Sequence, residues 1–290
     1  MPASIIDGRA LADELRVELR ARSLRLRERG IVPRLTVVIV GEDAASMAYV
    51  ASLKSVGSGL GIDVNVAALR ANADNAMLSA ELVRLGDDDA VHGIIVQQPL
   101  PIQLSIRAVA DTMPASKDVD GANPINQGRL AFGSGTPFVP ATPAAVMLLL
   151  ERSPAWPLWG RDVVVVGRSN VVGLPVSLLL MAQNATVSVT HKETHDLTRF
   201  TRSAEVLVVA AGAPGLIVGQ NVRPGATVID VGTTFVDGKL VGDVDFSSVA
   251  AVASAITPVP GGVGPVTNVA LMRNVLDAAE RASELGRIIS

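Results

Sequence analysis

The sequence predicts an α/β protein of two domains, and three observations carry the prediction. At 290 residues the chain exceeds the size at which one hydrophobic core remains comfortable, so two cores with a cleft between them are expected. Short β-rich runs alternate with helix-length stretches throughout, the pattern of parallel strands joined by helical crossovers. The run Val163-Val164-Val165-Val166 leads straight into Gly167-Arg168-Ser169-Asn170-Val171-Val172-Gly173-Leu174-Pro175. A buried parallel strand reads as continuous β-branched residues, and a turn with little side-chain bulk lets backbone N–H groups approach a pyrophosphate at the positive end of the next helix. The turn is one glycine short of the usual G-x-G-x-x-G. Strand–glycine–helix turns also occur without ligand, so the stretch reads either as a dinucleotide cradle or as plain structure.

Composition narrows the class. With 49% hydrophobic and only 3% aromatic residues the core is aliphatic, as in a packed α/β protein. A net charge of −3 with acids and bases interspersed offers no basic face for nucleic acid. No cysteine is present and the three histidines are scattered, which removes disulfides and leaves no metal site to expect. The longest apolar stretch, Val171 to Ala182, is broken by Gly173, Pro175 and Ser177 and is too short for a bilayer. The amino terminus has no basic segment followed by an apolar core, so the expected location is cytoplasmic, with no membrane partner.

Each element has its own signal. Leu11, Leu15 and Leu19 recur every four residues and predict an amphipathic helix ending near Gly30. Leu35–Val40, Val64–Leu69 and Gly93–Val96 predict strands, separated by helical stretches around Ala44–Leu60 and Asn75–Leu85. Thr142-Pro143 reads as an N-cap with proline at the first helical position, continued by Ala144–Leu150, and the domain boundary is placed there. Strands are predicted again at Asp162–Val166, Thr186–Val189, Val206–Ala210 and Thr227–Val231, so the second half is a Rossmann-like sheet. A last helix over about Val266–Leu285 is expected to pack back on the first domain. The division is 1–141, an αβα substrate domain; 142–265, the dinucleotide-binding domain; and 266–290, the returning helix.

Four further stretches accompany the glycine turn: Val96-Gln97-Gln98-Pro99-Leu100-Pro101, Lys117-Asp118-Val119-Asp120-Gly121, Pro224 to Gly232, and Thr257-Pro258-Val259-Pro260-Gly261-Gly262-Val263-Gly264-Pro265. Together, from about Ile5 to the final helix, they resemble the methylenetetrahydrofolate dehydrogenase/methenyltetrahydrofolate cyclohydrolase family of the FolD type. The resemblance implies a folate substrate whose methylene bridge is oxidised with a nicotinamide cofactor, hydrolysis of the resulting methenyl cation, and a homodimer. Hydride loss from a carbon between two nitrogens leaves a delocalised cation and needs no protein proton acceptor, so the site's work is positioning and exclusion of water.

By resemblance, Tyr49, the only tyrosine, lies against the folate rings, where a flat face suits a pterin; Asp120 accepts hydrogen bonds from the pterin; and Gln97 stands beside the family's catalytic lysine. Taken without the resemblance, Tyr49 is a core aromatic, Asp120 a turn former before glycine, and Gln97 a residue that satisfies loop backbone. Pro260, Gly261 and Gly262 form the wall where pterin and nicotinamide meet, or else a plain loop. Gly212, Pro214, Val231, Gly232, Thr233 and Thr257 join Gly167, Arg168, Ser169, Val172 and Gly173 along the expected cofactor channel. Asp230 and Asp243 read as backbone caps, and His92 and His195 carry no expected chemistry.

Two places depart from the family pattern. The family helix has lysine four residues after the tyrosine; here that position is Leu53, and Lys54 follows it. One residue on a helix turns a side chain by about 100°, which makes Lys54 a surface residue and leaves the substrate face with Leu53. Positioned proton transfer is worth roughly 10²–10⁴-fold, so cyclohydrolase activity is expected to be weak or absent. After the Val-Asp-Gly turn, Ala122-Asn123-Pro124 replaces the more usual Phe-His-Pro; Asn123 is still able to hydrogen-bond there. Beyond the glycine turn, His191 matches a family histidine, and Lys192 with Arg168 favours a 2′-phosphate, hence NADP over NAD; Lys192 also reads as a plain surface charge. The competing readings are a fully bifunctional enzyme and a catalytically decayed folate- or nucleotide-binding paralogue.

Overall fold

Two units share the chain in the computed structural model, which describes residues 3–41 and 43–289, with the backbone alone for 44, 45 and 285–289. One comprises residues 14–141 and 268–290, the other 1–13 and 142–267. In chain order the first elements are β1 (Ser4–Ile5), α1 (Gly8–Glu28), β2 (Arg34–Val40), α2 (Ala44–Leu60), β3 (Asp63–Leu69), α3 (Asn75–Asp87), β4 (Gly93–Val96), α4 (Ile106–Thr112), α5 (Pro124–Phe132) and α6 (Ala141–Glu151). Then follow β5 (Asp162–Val166), α7 (Gly173–Ala182), β6 (Thr186–Thr190), α8 (Leu197–Thr201), β7 (Val206–Val209), β8 (Thr227–Asp230), β9 (Thr234–Val236), β10 (Lys239–Val241), α9 (Phe246–Ala250), β11 (Ala255–Ile256) and α10 (Val263–Ile289).

The unit of residues 14–141 and 268–290 is built on a parallel sheet in the order β3-β2-β4. β2 is central and continuous in β-branched and aliphatic residues because both of its faces are covered. Leu35, Val37 and Val38 have no exposed surface. Val38, Leu78, Leu82, Leu85, Ile94 and Val109 make one core between the sheet and helices α3 and α4. α2 starts at Asp43, whose side chain accepts from the Ser46 N–H at 2.8 Å, and stops at Gly61, in the left-handed region. The last helix is tied in by Asn274, which donates to the carbonyls of Val119 and Val139 at 2.7 and 2.8 Å. Arg22 adds ion pairs to Asp277 and Glu280.

The other unit carries a six-stranded sheet in the order β1-β11-β8-β7-β5-β6, parallel throughout. Its interior is Val164, Val166, Leu207, Val209, Val228 and Ile256, with helix side chains around them. β5 lies between β6 and β7, so the chain leaves it in opposite directions. In open α/β sheets such a switch point opens a crevice outside the strand's carboxyl end.

The first residues group differently from the 1–141 division. β1 pairs with β11, Ser4 opposite Ala255 and Ile5 opposite Ile256, and a two-residue strand gives no periodicity to read. α6 begins at Ala141, which places Thr142 inside the helix instead of at its cap, a difference of the size at which helix ends are defined. The short helices α4, α5, α8 and α9 and the β9–β10 hairpin add to the predicted elements. No described helix is long and apolar enough to cross a membrane.

Candidate functional site

At the switch point, Gly167 has φ +117, and a β-carbon on it would run into the backbone carbonyl of Ala210. A β-carbon on Gly173 would meet the backbone of Gly167. Both positions therefore need glycine because backbones pass close to one another. Ser169 Oγ accepts from the N–H groups of Val172 and Gly173 at 3.1 and 3.4 Å, covering two donors at the start of α7. Arg168, Ser169 and Asn170 are exposed, and among the described residues the Arg168 guanidinium has no acceptor. A concave turn that β-carbons would fill, at the positive end of a ten-residue helix, fits a dinucleotide pyrophosphate.

At the end of β6, Thr194 Oγ1 accepts from the His191 N–H at 2.9 Å, and His191 Nδ1 accepts from the Glu193 N–H at 3.3 Å. The imidazole is thus oriented by its own loop. Lys192 is 88% exposed and reaches Glu193 at 3.7 Å, a surface pair that holds it only weakly.

The loops after β7 and β8 are joined by a network that the sequence shows only as isolated acids. Asp230 Oδ1 accepts from the N–H groups of Gly232 and Asp243 at 2.9 and 3.0 Å, and Oδ2 from Val244 at 3.1 Å. Asp243 Oδ2 accepts from Ala211 and Gly212 at 2.7 and 2.8 Å; its Oδ1 is buried with no partner among the described residues. Burial pushes the Asp230 carboxyl up to about 6 against the pull of its three N–H donors. The two acids bring Gly212, Val231 and Gly232 together, with Pro214 and Thr233 exposed on the same loops. Thr257 is buried, and its hydroxyl accepts from the Asp230 N–H at 2.8 Å. Pro260 is exposed while Gly261 and Gly262 are buried; a β-carbon on Gly261 would lie 3.3 Å from Arg9 Nε.

In the other unit, Asp118 and Asp120 stand two residues apart at an extended turn and take opposite roles. Asp118 has no exposed surface and accepts from the N–H groups of Ala122 and Asn123 at 3.0 and 2.8 Å and from Asn126 Nδ2 at 2.8 Å. It fixes the turn. Asp120 is left over, and burial, with the Asp118 charge behind it, pushes its carboxyl up to about 7. Tyr49 is pushed up to about 12 by burial and by the Asp120 charge, which shows that phenol and carboxyl lie within electrostatic reach of one another. Gln97, at the end of β4, donates from Nε2 to the Gln98 carbonyl at 2.7 Å.

Leu53 has no exposed surface. Lys54 is exposed and, with Met47, Val50 and Leu69, lines a cavity of about 930 Å³ beside the edge strand β3. Asn123 departs from its expected role. It is buried as the N-cap of α5, Oδ1 accepting from Ile125 and Nδ2 donating to the carbonyls of Ala110 and Met113, so its hydrogen-bonding groups are already used within the fold.

The doubly wound sheet with its glycine turn defines a nucleotide-binding protein of the Rossmann class, joined to a separate αβα unit that holds the half-buried phenol of Tyr49 and carboxyl of Asp120. Residues 6–120 match the catalytic domain, and residues 140–283 the NAD(P)-binding domain, of tetrahydrofolate dehydrogenase/cyclohydrolase. The chain belongs to this family. It is 46% identical over 280 residues to the bifunctional protein FolD of Halalkalibacterium halodurans, covering 97% of this chain and all of the relative. A crystal structure of the bifunctional FolD dehydrogenase/cyclohydrolase from Campylobacter jejuni superposes with a TM-score of 0.94 at 41% identity, covering 96% and 99% of the two chains. The Trypanosoma brucei enzyme, described as complexed with NADP cofactor and inhibitor, gives 0.92 at 38% identity and covers 98% and 99%.

Proposed function

We propose that the chain oxidises 5,10-methylenetetrahydrofolate to 5,10-methenyltetrahydrofolate with NADP and hydrolyses the product weakly or not at all. NADP, when bound, supplies the hydride acceptor. The turn from Gly167 to Gly173 would hold its pyrophosphate, and exposed Arg168 is the cation available to a 2′-phosphate. Asp120 and Tyr49 would hold the folate rings: the phenol stays protonated at all working pH values, and the carboxyl stands near neutrality, ready to accept from a ring N–H. None of these groups has to take a proton for hydride to leave.

The observation that carries the loss of hydrolysis is Leu53, apolar and fully buried, one helical turn from Tyr49 on the same stripe of α2. Gln97 meanwhile gives its amide N–H to its own neighbour. The fully bifunctional reading is favoured by the relatives, which are named bifunctional. One stepwise assay separates the two: with 5,10-methylenetetrahydrofolate and NADP⁺, nicotinamide reduction is expected with methenyl accumulation. Reduction without accumulation supports the bifunctional enzyme, and folate or nucleotide binding with neither signal supports the decayed paralogue.

A further inference from the structure

A second concavity lies in the unit of residues 14–141 and 268–290, at the other end of β4 from Gln97. The strand separates His92 from Gln97 by about 16 Å at 3.3 Å per residue, so this pocket is distinct from the folate site. Its volume is about 290 Å³, near the lower limit of small-molecule pockets at roughly 300 Å³.

Three cationic side chains line it, Lys117, Arg129 and Arg281, against one lining acid, Asp89, while Asp87 and Asp88 also lie within electrostatic reach of Lys117. The acids offset Lys117, which leaves the Arg129 and Arg281 guanidinium groups as the uncompensated charges of the pocket. The donors are prepared. Arg281 is held by a 2.7 Å bond to the Thr136 carbonyl and lies 4.5 Å over the Phe138 ring, which fixes its fork and leaves N–H groups uncommitted. Arg129 is exposed and has no acceptor among the described residues. Lys117 spends two donors on the carbonyls of Leu85 and Asp88 and keeps a third. His92 accepts from the Arg34 N–H through Nδ1 at 3.2 Å, so its proton sits on Nε2. Burial and the charges of Lys117 and Arg34 lower its pKa, keeping it a neutral donor. Phe138 and Ala278, both nearly buried, form an apolar floor behind these donors.

We infer that this pocket binds the phosphate group of a small organic phosphate, with Arg129 and Arg281 as the paired anchors and the carbon body against the apolar floor. Multiple donors converging from a fork, a second guanidinium and an imidazole N–H match the three oxygens of a phosphate ester.

The test is calorimetric titration of the full chain with ribose 5-phosphate and, separately, with inorganic phosphate. Ribose 5-phosphate is expected to bind. Arg129→Glu, which breaks no hydrogen bond or ion pair among the described residues, is expected to weaken it by about tenfold or more, and Arg168→Ala in the nucleotide turn is expected to leave it unchanged. Arg281→Lys, with its charge kept and its fork lost, is expected to weaken it less than Arg129→Glu. Retention of the wild-type melting temperature shows that the variants are folded. No binding of either probe, binding indifferent to Arg129→Glu, or binding abolished by Arg168→Ala would each overturn the assignment.

Discussion

Restoring an amine at position 53 tests the link between this residue and hydrolysis. Leu53 is fully buried, so Leu53→Lys removes packed methyl groups and places an ammonium in their stead. Leu→Ala at such sites costs about 2–5 kcal/mol; the lysine stem recovers part of that packing, and a pKa shift of the amine relieves part of the charge burial. A net loss of about 2–3 kcal/mol is expected, lowering Tm by roughly 4–12 °C in domains of this size. Against this cost, an amine one turn from Tyr49 is expected to raise methenyltetrahydrofolate hydrolysis by about 10²–10⁴-fold, with dehydrogenase turnover changed far less. The assay follows the decay of methenyl absorbance with purified wild type and variant, each at a temperature well below its measured Tm. Wild-type hydrolysis as fast as its own dehydrogenase turnover would refute the reasoning. So would a folded Leu53→Lys protein with no gain.

Three other outcomes follow from the geometry. Asp120 has a folded pKa raised from 3.8 to about 7, so the native state binds more protons than the unfolded chain between those values and stability falls as pH rises through this window. Asp120→Asn is expected to flatten that slope and gain about 1–3 kcal/mol relative to wild type above pH 7, after allowance for partial exposure; denaturant melts across the pH range measure it, and an unchanged slope counts against a buried carboxyl. Gly173→Ala drives a β-carbon into Gly167 and is expected to weaken NADP binding by more than about tenfold while the signals of the other unit in an NMR spectrum stay in place; wild-type affinity would mean that the turn does not hold the cofactor. Arg168→Ala is expected to lower the NADP-to-NAD ratio of kcat/KM by about tenfold, and Lys192→Ala to do less because the Glu193 charge beside it opposes a 2′-phosphate; an unaltered ratio would remove Arg168 from the 2′-phosphate.

Seven strands of the two sheets, β2 to β8, were legible because each is a short aliphatic run bounded by turn residues, and β2 and β5 were the plainest of them. The glycine turn was legible for the same reason: its strand and its helix both announce themselves in composition. β1 and β11 were not, because two residues carry no period and the two strands pair across some 250 positions of chain. Nor was the use made of Asn123. Its neighbours in sequence say "turn", but whether an amide faces a ligand or caps a helix depends on the carbonyls of Ala110 and Met113, supplied by the end of α4. Asp230 and Asp243 were legible as caps, but their joint clamp on the loops after β7 and β8 needs four segments brought together.

The two halves of the expected chemistry also differ in what they ask of the chain. Hydride transfer, in the proposed reading, would depend on backbone shape, on Gly167, Gly173 and the turn around Asp118, and such features survive many side-chain changes. Hydrolysis, in the reading proposed above, would depend on one proton-carrying group at one helical position. In the proposed reading a single substitution there would silence the second step without touching the first, whereas the reverse separation would require rebuilding a sheet edge. Leu53 is the kind of change by which such a chain would lose half of its chemistry and keep its fold.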